Sequence, residues 1–146
     1  MERPLGYNPM RWECEKQGCF NKLKRPKIEV FADCFPGKIS FGDVDGVVEI
    51  NGHFLYLEWK PNTAISTGQR ILIERRTEDG LSAYLIVAGN AETMEVKQYA
   101  IAWNGTINPW MVGTLDDLKN RIRNWVAIAR KTRAVQTVPS GGGSLA

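Results

Sequence analysis

Two β-rich runs joined by Asn51-Gly52 form the clearest pattern of apolar and polar positions in the chain. They cover residues 44–50 and 53–59 and are dominated by branched and aromatic side chains. Asn-Gly between such runs favours a two-residue type I′ turn, because both turn residues must adopt a positive φ. The pattern therefore predicts a β-hairpin whose strands begin to pair directly at the turn.

Apolar periodicity and capping signals predict the other elements. Ser66 with Gln69 three residues later matches a helix-capping box, and Thr114 with Asp117 gives a similar signal. In chain order we expect a helix at 26–35, a strand at 38–41, the hairpin, a helix at 66–78, strands at 81–88 and 95–103, and a helix from 114. This order predicts an α/β fold with a mixed sheet, as one domain over 1–131 with a disordered tail over 132–146.

The turn also predicts which side chains meet across the hairpin. In its register Asp45 faces Glu58, and Asp43 faces Lys60. Side chains alternate along a strand, so these four lie on one face of the sheet. The opposite face should be a core face made of Val44, Val48, Ile50, Leu55, Leu57 and Trp59.

The opposed carboxylates Asp45 and Glu58 suggest a metal site. Like charges at opposed strand positions are destabilising, and a divalent cation between them would reverse that effect. Mg²⁺ commonly uses one or two carboxylates, together with waters and substrate phosphates. Lys60 beside the pair could stabilise charge on a phosphate. A plain surface hairpin with an Asp43–Lys60 ion pair is the open alternative.

At these residues the chain resembles the PD-(D/E)XK nuclease superfamily. That family carries an Asp at the start of one strand and Glu-x-Lys on the next, and here Asp45 precedes Glu58-Trp59-Lys60 with twelve residues between Asp45 and Glu58. The family's leading Pro-Asp pair is absent from residues 42–45. The resemblance extends over about 26–88.

A closer similarity is to the VRR-NUC branch, which includes compact phage nucleases. That branch continues with a short loop, a helix that carries a Gln, and a Gly before an apolar strand; Gln69 and Gly80 occupy these places. The resemblance implies a restriction-endonuclease-like core, ordered helix, three strands, helix, strand. It also implies a Mg²⁺- or Mn²⁺-dependent endonuclease acting on DNA, with Holliday junctions or flaps as substrates and a homodimer as the working form.

The resemblance assigns roles to individual residues. Asp45, Glu58 and the Trp59 carbonyl would bind the metal, with Asp43 as a further candidate ligand. Lys60 would position or activate the attacking water. A non-catalytic DNA-binding or accessory module on the same fold is the alternative function.

Two further catalytic candidates have ordinary structural alternatives. Many family members use a Glu on the first helix, for which Glu29 is the candidate, although it could equally be a surface residue. Gln69 would lie near the site by resemblance, whereas the capping box gives it a structural role.

Charge adds little to this picture. The net charge is +3, from 19 basic and 16 acidic residues. A basic cluster near the start and one helix residue are candidate DNA contacts, or simply solvated side chains: Lys22, Lys24, Arg25, Lys27 and Arg70. No apolar run reaches the ~20 residues of a membrane span. The first residues lack the apolar core of a signal peptide, which favours a cytoplasmic location. For a phage-encoded protein this would be the cytoplasm of the host cell.

Three cysteines leave a second metal hypothesis open. Cys14, Cys19 and Cys34 form an odd set, which argues against a disulfide framework. With His53 they would make four ligands for zinc, although the spacing is wide. Buried or loop thiols are the simpler interpretation.

Overall fold

The computed structural model describes residues 26–42 and 44–133, which fall into two units, one before and one after residue 43. In the first unit, a 3₁₀ helix spans Ile28–Cys34 where the sequence predicts a helix at 26–35. The strand predicted at 38–41 is wrong, because that backbone is irregular after a turn. Phe41 instead contacts Phe31 and Phe35 edge-on, with ring centroids 6.0 and 5.2 Å apart. The single-domain boundary at 131 stays a prediction.

The second unit holds the sheet and two α-helices. Its elements in chain order are β1 Gly46–Ile50, β2 His53–Lys60, α1 Thr67–Thr77, β3 Ser82–Asn90, β4 Glu95–Trp103, β5 Thr106–Ile107, β6 Met111–Val112 and α2 Leu115–Lys131. The sheet order is β1-β2-β3-β4-β5, and β6 also pairs with β4. Among the strands of the described residues only β2 and β3 are parallel, since α1 connects them as a crossover. The predicted α/β fold with a mixed sheet and a C-terminal helix is confirmed.

Both helices begin with the predicted capping boxes. Ser66 Oγ accepts the backbone N–H of Gln69 at 3.2 Å, and Thr114 Oγ1 accepts that of Asp117 at 3.3 Å. The side chains of Gln69 and Asp117 accept in return from the two capping residues. Each box satisfies N–H groups that the first helical turn leaves without intrahelical partners.

β3 lies at the centre of the sheet and supplies both cores. Eight of its nine residues are buried. One core lies between the sheet and α1 and consists of Ile73, Tyr84, Ile86, Ala100 and Ala102. The other lies on the α2 face and consists of Leu85, Val87, Tyr99 and Leu118.

The apolar face predicted for the hairpin is only partly a core. Leu55, Leu57 and Trp59 of β2 pack against the α2-side core. Val44 and Val48, predicted on the same face, are 48% and 45% exposed. Among the described residues β1 pairs only with β2, so its side chains have neighbours on one flank alone.

A second Asn-Gly turn, missed in the sequence, joins β4 to β5. Asn104 and Gly105 have φ values of 51° and 81°, as a type I′ turn requires. The dipeptide is the same signal that identifies the first hairpin.

The predicted tail begins with Thr132 and Arg133 after α2, and from residue 134 it lies outside the described residues. None of the helices in the described part of the chain is long and apolar enough to cross a membrane.

Candidate active site

The hairpin has the register that its turn predicts. Asn51 and Gly52 adopt φ values of 58° and 86°, and Ile50 pairs with His53. At the end away from the turn, the last pair is Gly46 with Leu57, and Asp45 comes directly before Gly46. Asp45 itself forms a bend outside the ladder, so its predicted position opposite Glu58 stays a prediction.

The Asp45 side chain closes the open end of the hairpin. Its Oδ2 accepts the backbone N–H of Trp59 at 2.6 Å. In a continued antiparallel ladder this N–H would face Val44, so the carboxylate takes the place of a main-chain acceptor. The bond holds the exposed Asp45 carboxylate at the backbone of Trp59, the residue that follows the half-buried Glu58.

Lys60 is held by the start of α1. Its Nζ donates to Gln69 Oε1 at 2.9 Å, and the same oxygen lies 3.4 Å from the Ser66 backbone N–H. The two roles considered for Gln69, capping residue and neighbour of the site, therefore occur together. The helix start fixes the position of the ammonium group on the face of β2 that carries Glu58.

An aromatic stack supports Glu58 from the same face of the sheet. The rings of Tyr56 and Tyr84 lie 4.8 Å apart and nearly parallel, and Arg76 Nε donates to the Tyr56 hydroxyl at 2.8 Å. Burial raises the pKa of Tyr84, the nearby Tyr56 and Glu58 raise it further, and Arg76 lowers it. Sequence reasoning missed this group, although Tyr56 shares the face of Glu58 by simple alternation.

The remaining predicted residues lie in the first unit, on α1 or outside the described residues. Glu29 lies in the first turn of the 3₁₀ helix of the first unit, directly after that helix's first residue, and Lys27 is its N-cap. Arg70 is exposed on α1, next to Gln69. Asp43 and the basic residues Lys22, Lys24 and Arg25 lie outside the described residues.

The zinc hypothesis gains no support from the described residues. Cys34 is exposed, whereas Cys14 and Cys19 fall outside the described ranges. His53 Nε2 lies 2.7 Å from the Thr132 carbonyl oxygen, which can only accept, so Nε2 carries the proton in this bond. Within 26–42 and 44–133, no group of three or more His, Cys, Asp and Glu residues is placed to hold a metal.

The donor chemistry at the open end of the hairpin suits a hard cation. It offers two carboxylates, Asp45 and Glu58, with the Trp59 carbonyl directly after Glu58 in the chain. Mg²⁺ accepts such a small oxygen set because it retains waters and binds substrate phosphates, whereas structural zinc requires four protein ligands.

Compared with protein-family models, with curated proteins and with solved structures, the chain shows no match.

Proposed function

We propose that this chain is a metal-dependent nuclease that hydrolyses phosphodiester bonds in DNA. The observation that carries the proposal is the bond from the Trp59 N–H to Asp45, which attaches the Asp45 carboxylate to the residue that follows Glu58. Opposed carboxylates destabilise a hairpin, so their placement suits a function that uses a cation. The intact Asp45, Glu58 and Lys60 set supports catalysis over a purely DNA-binding module.

The residues that would hold Mg²⁺ or Mn²⁺ are Asp45, Glu58 and the Trp59 carbonyl. The bond from Trp59 N–H occupies one acceptor position of Asp45, and an ionised carboxylate offers about four. When bound, a divalent cation supplies Lewis-acid stabilisation of the charge on a phosphoryl group. The protein's own contribution is to hold the Asp45 carboxylate at the backbone of Trp59, the residue that follows Glu58.

Lys60 would act on the phosphate and on the attacking water. Its ammonium has three N–H donors, of which one is directed at Gln69 Oε1. The other two are available to stabilise negative charge on a phosphate oxygen or to orient water for in-line attack. Anchoring by Gln69 fixes this donor before substrate arrives, which limits the reorganisation needed during the reaction.

The order of elements supports the finer fold assignment that we propose, a restriction-endonuclease-like core. The hairpin, then α1, then the parallel β3 follow the order of that core. Only two strands precede α1 in the described residues, one fewer than the core requires. We also propose a structure-specific role at Holliday junctions or flaps, a phage origin and a homodimer. These three points rest only on analogy with compact nucleases.

Cleavage of labelled linear, single-stranded, flapped and four-way DNA tests the proposal. Each substrate is incubated with Mg²⁺, Mn²⁺ or EDTA, using wild type, Glu58→Ala and the matched control Glu78→Ala. Glu78 is exposed at the end of α1 that lies away from Gln69. We expect metal-dependent cutting that Glu58→Ala loses and Glu78→Ala keeps.

Absence of cutting on every substrate would contradict the nuclease proposal. DNA affinity as a function of salt would then test the non-catalytic alternative, because each phosphate contact adds to the salt dependence of binding.

A further inference from the structure

A pocket of about 540 Å³ lies beside Trp59, on the face of β2 opposite Glu58 and Lys60. Pro61 and Lys97 line it together with the indole. Its volume falls within the ~300–1,000 Å³ typical of small-molecule sites. Trp59 thus contributes its backbone to the candidate metal site and its side chain to this pocket.

The indole of Trp59 is fixed in orientation. Its Nε1 donates to the Gly89 carbonyl at 3.2 Å. Gly89 has no room for a side chain, since a Cβ there would collide with the carbonyl oxygen of Glu95. The close contact between the two strands keeps the Gly89 carbonyl in place, and the ring is therefore held before any ligand binds.

A β-bulge delivers a cation to the same pocket. Ala88 pairs with Gln98, but the next pair is Gly89 with Val96, so Lys97 is an extra residue on β4. Such bulges redirect side chains and occur often beside active sites. Here the bulged Lys97 is exposed and lines the pocket with Trp59.

The lining chemistry selects a base rather than a phosphate as the group inside the pocket. Indole rings stack on nucleic-acid bases irrespective of sequence. Glu92 also lines the pocket, and its carboxylate would repel a phosphate but can accept N–H groups from a base edge. Lys97 at the exposed side suits the backbone phosphate of the same nucleotide.

We propose that this pocket binds an unpaired base of the DNA substrate. The proposal rests on the nuclease function, because Trp59 lies between Glu58 and Lys60 in the chain. A base that is paired and stacked in continuous duplex cannot enter such a pocket without being flipped out. Single strands, flaps and junctions would therefore bind better than linear duplex.

Fluorescence of 2-aminopurine tests base binding without cleavage. The full-length protein is titrated in EDTA into a single-stranded oligonucleotide that carries 2-aminopurine, and into the same oligonucleotide paired with its complement. Stacking on the indole should quench the unpaired probe and leave the paired probe unchanged. Equal change in both, or none in the single strand, would overturn the proposal.

Variants assign the quenching to the pocket. Trp59→Ala should weaken single-strand binding by roughly 5- to 150-fold, the usual range for loss of one stacked base. Lys97→Gln should lower the slope of log affinity against log salt by about 0.7, as for one phosphate contact to a single strand. Lys119→Gln, an exposed α2 residue, is the matched control and should change neither value. Should Trp59→Ala fail to fold, an unchanged slope in Lys97→Gln still refutes the proposal.

The two proposals fail in distinguishable ways. A protein that cuts DNA but does not quench the unpaired probe keeps the nuclease function and loses the pocket. A protein that quenches the probe in a Lys97-dependent manner but cuts no substrate keeps a base-binding pocket and loses the nuclease.

Discussion

At the turn end of the β1–β2 hairpin, two side chains donate hydrogen bonds to the carbonyl end of α2. The open end carries acidic residues and a lysine instead. Asn51 Nδ2 donates to the carbonyls of Ala129 and Arg130 at 3.2 and 3.4 Å. His53 Nε2 donates to the Thr132 carbonyl. These carbonyls lie at the end of a helix, where carbonyl groups have no intrahelical N–H partner. The hydrogen bonds to them therefore stabilise the turn end of the hairpin.

At the open end of the hairpin, the register predicts like charges at opposed positions. A single bond to the Trp59 N–H attaches Asp45 to the residue that follows Glu58. Lys60 is tethered by an uncharged partner, Gln69. Under the proposed function, one end of the hairpin serves stability and the other serves chemistry at some cost in stability, so variants at the two ends should have separable effects.

The largest expected effect is on catalysis, in Lys60→Ala. Loss of one preorganised donor to a developing negative charge typically costs about 10²–10³-fold in rate. We expect a loss of that size in the cleavage rate, while Mn²⁺ still raises the melting temperature because Asp45 and Glu58 remain. Lys119→Ala is the control, and undiminished cutting by Lys60→Ala would refute the role given to Lys60.

Asn51→Ala should lower stability at the turn end. The variant loses the amide bonds to α2 and places Ala at a φ of 58°, which together cost about 1–3 kcal/mol. Urea unfolding measures this loss. Asn104→Ala is the matched control, because Asn104 has the same positive φ in the turn before β5. Equal losses in the two variants would show that the α2 bonds contribute nothing.

Asp45→Asn should stabilise the metal-free protein, by about 0.5 kcal/mol. The amide oxygen can still accept the Trp59 N–H, while the repulsion with Glu58 disappears. The variant should also lose the rise in melting temperature that Mg²⁺ or Mn²⁺ gives wild type, since a ligand stabilises only the state that binds it. A clear fall in metal-free stability would contradict the assigned repulsion.

The last prediction concerns the pH dependence of stability and Tyr84, which lies on β3 and pairs with Tyr56 of the hairpin. Burial raises its pKa in the folded protein above the ordinary value of about 10. Above that pH the unfolded chain loses the tyrosine proton first, so the free energy of unfolding falls as pH rises. Wild type should lose more stability than Tyr84→Phe between about pH 9 and 11, by at most about 1.4 kcal/mol per pH unit for one group. Parallel curves for the two proteins would contradict this.

Local signals in the sequence were sufficient for the hairpin and the helix starts. Asn51-Gly52 determines a backbone turn through its own φ preferences, and the turn determines the register of β1 with β2, in which Ile50 pairs with His53. The capping box at Ser66 and Gln69 is equally local, since its partners lie three residues apart. These features need no knowledge of the rest of the fold.

Features that depend on distant parts of the chain could not be predicted. The exposure of Val48 follows from the edge position of β1, which the alternating pattern does not reveal. The Lys60–Gln69 bond required the position of α1 relative to β2. Lys97 is the bulged residue only because β3 and β4 shift register at Gly89, so no local pattern around it signals a pocket.

The attachment of Asn51 to α2 has a consequence for how the protein is synthesised. Asn51 and its acceptor Ala129 are separated by 78 residues. A hairpin forms within microseconds, whereas a ribosome adding about 5–20 residues per second needs roughly 4–16 s to cover that distance. The nascent chain therefore carries Asp45 and Glu58 for seconds before the helix that stabilises the other end of their hairpin has been made.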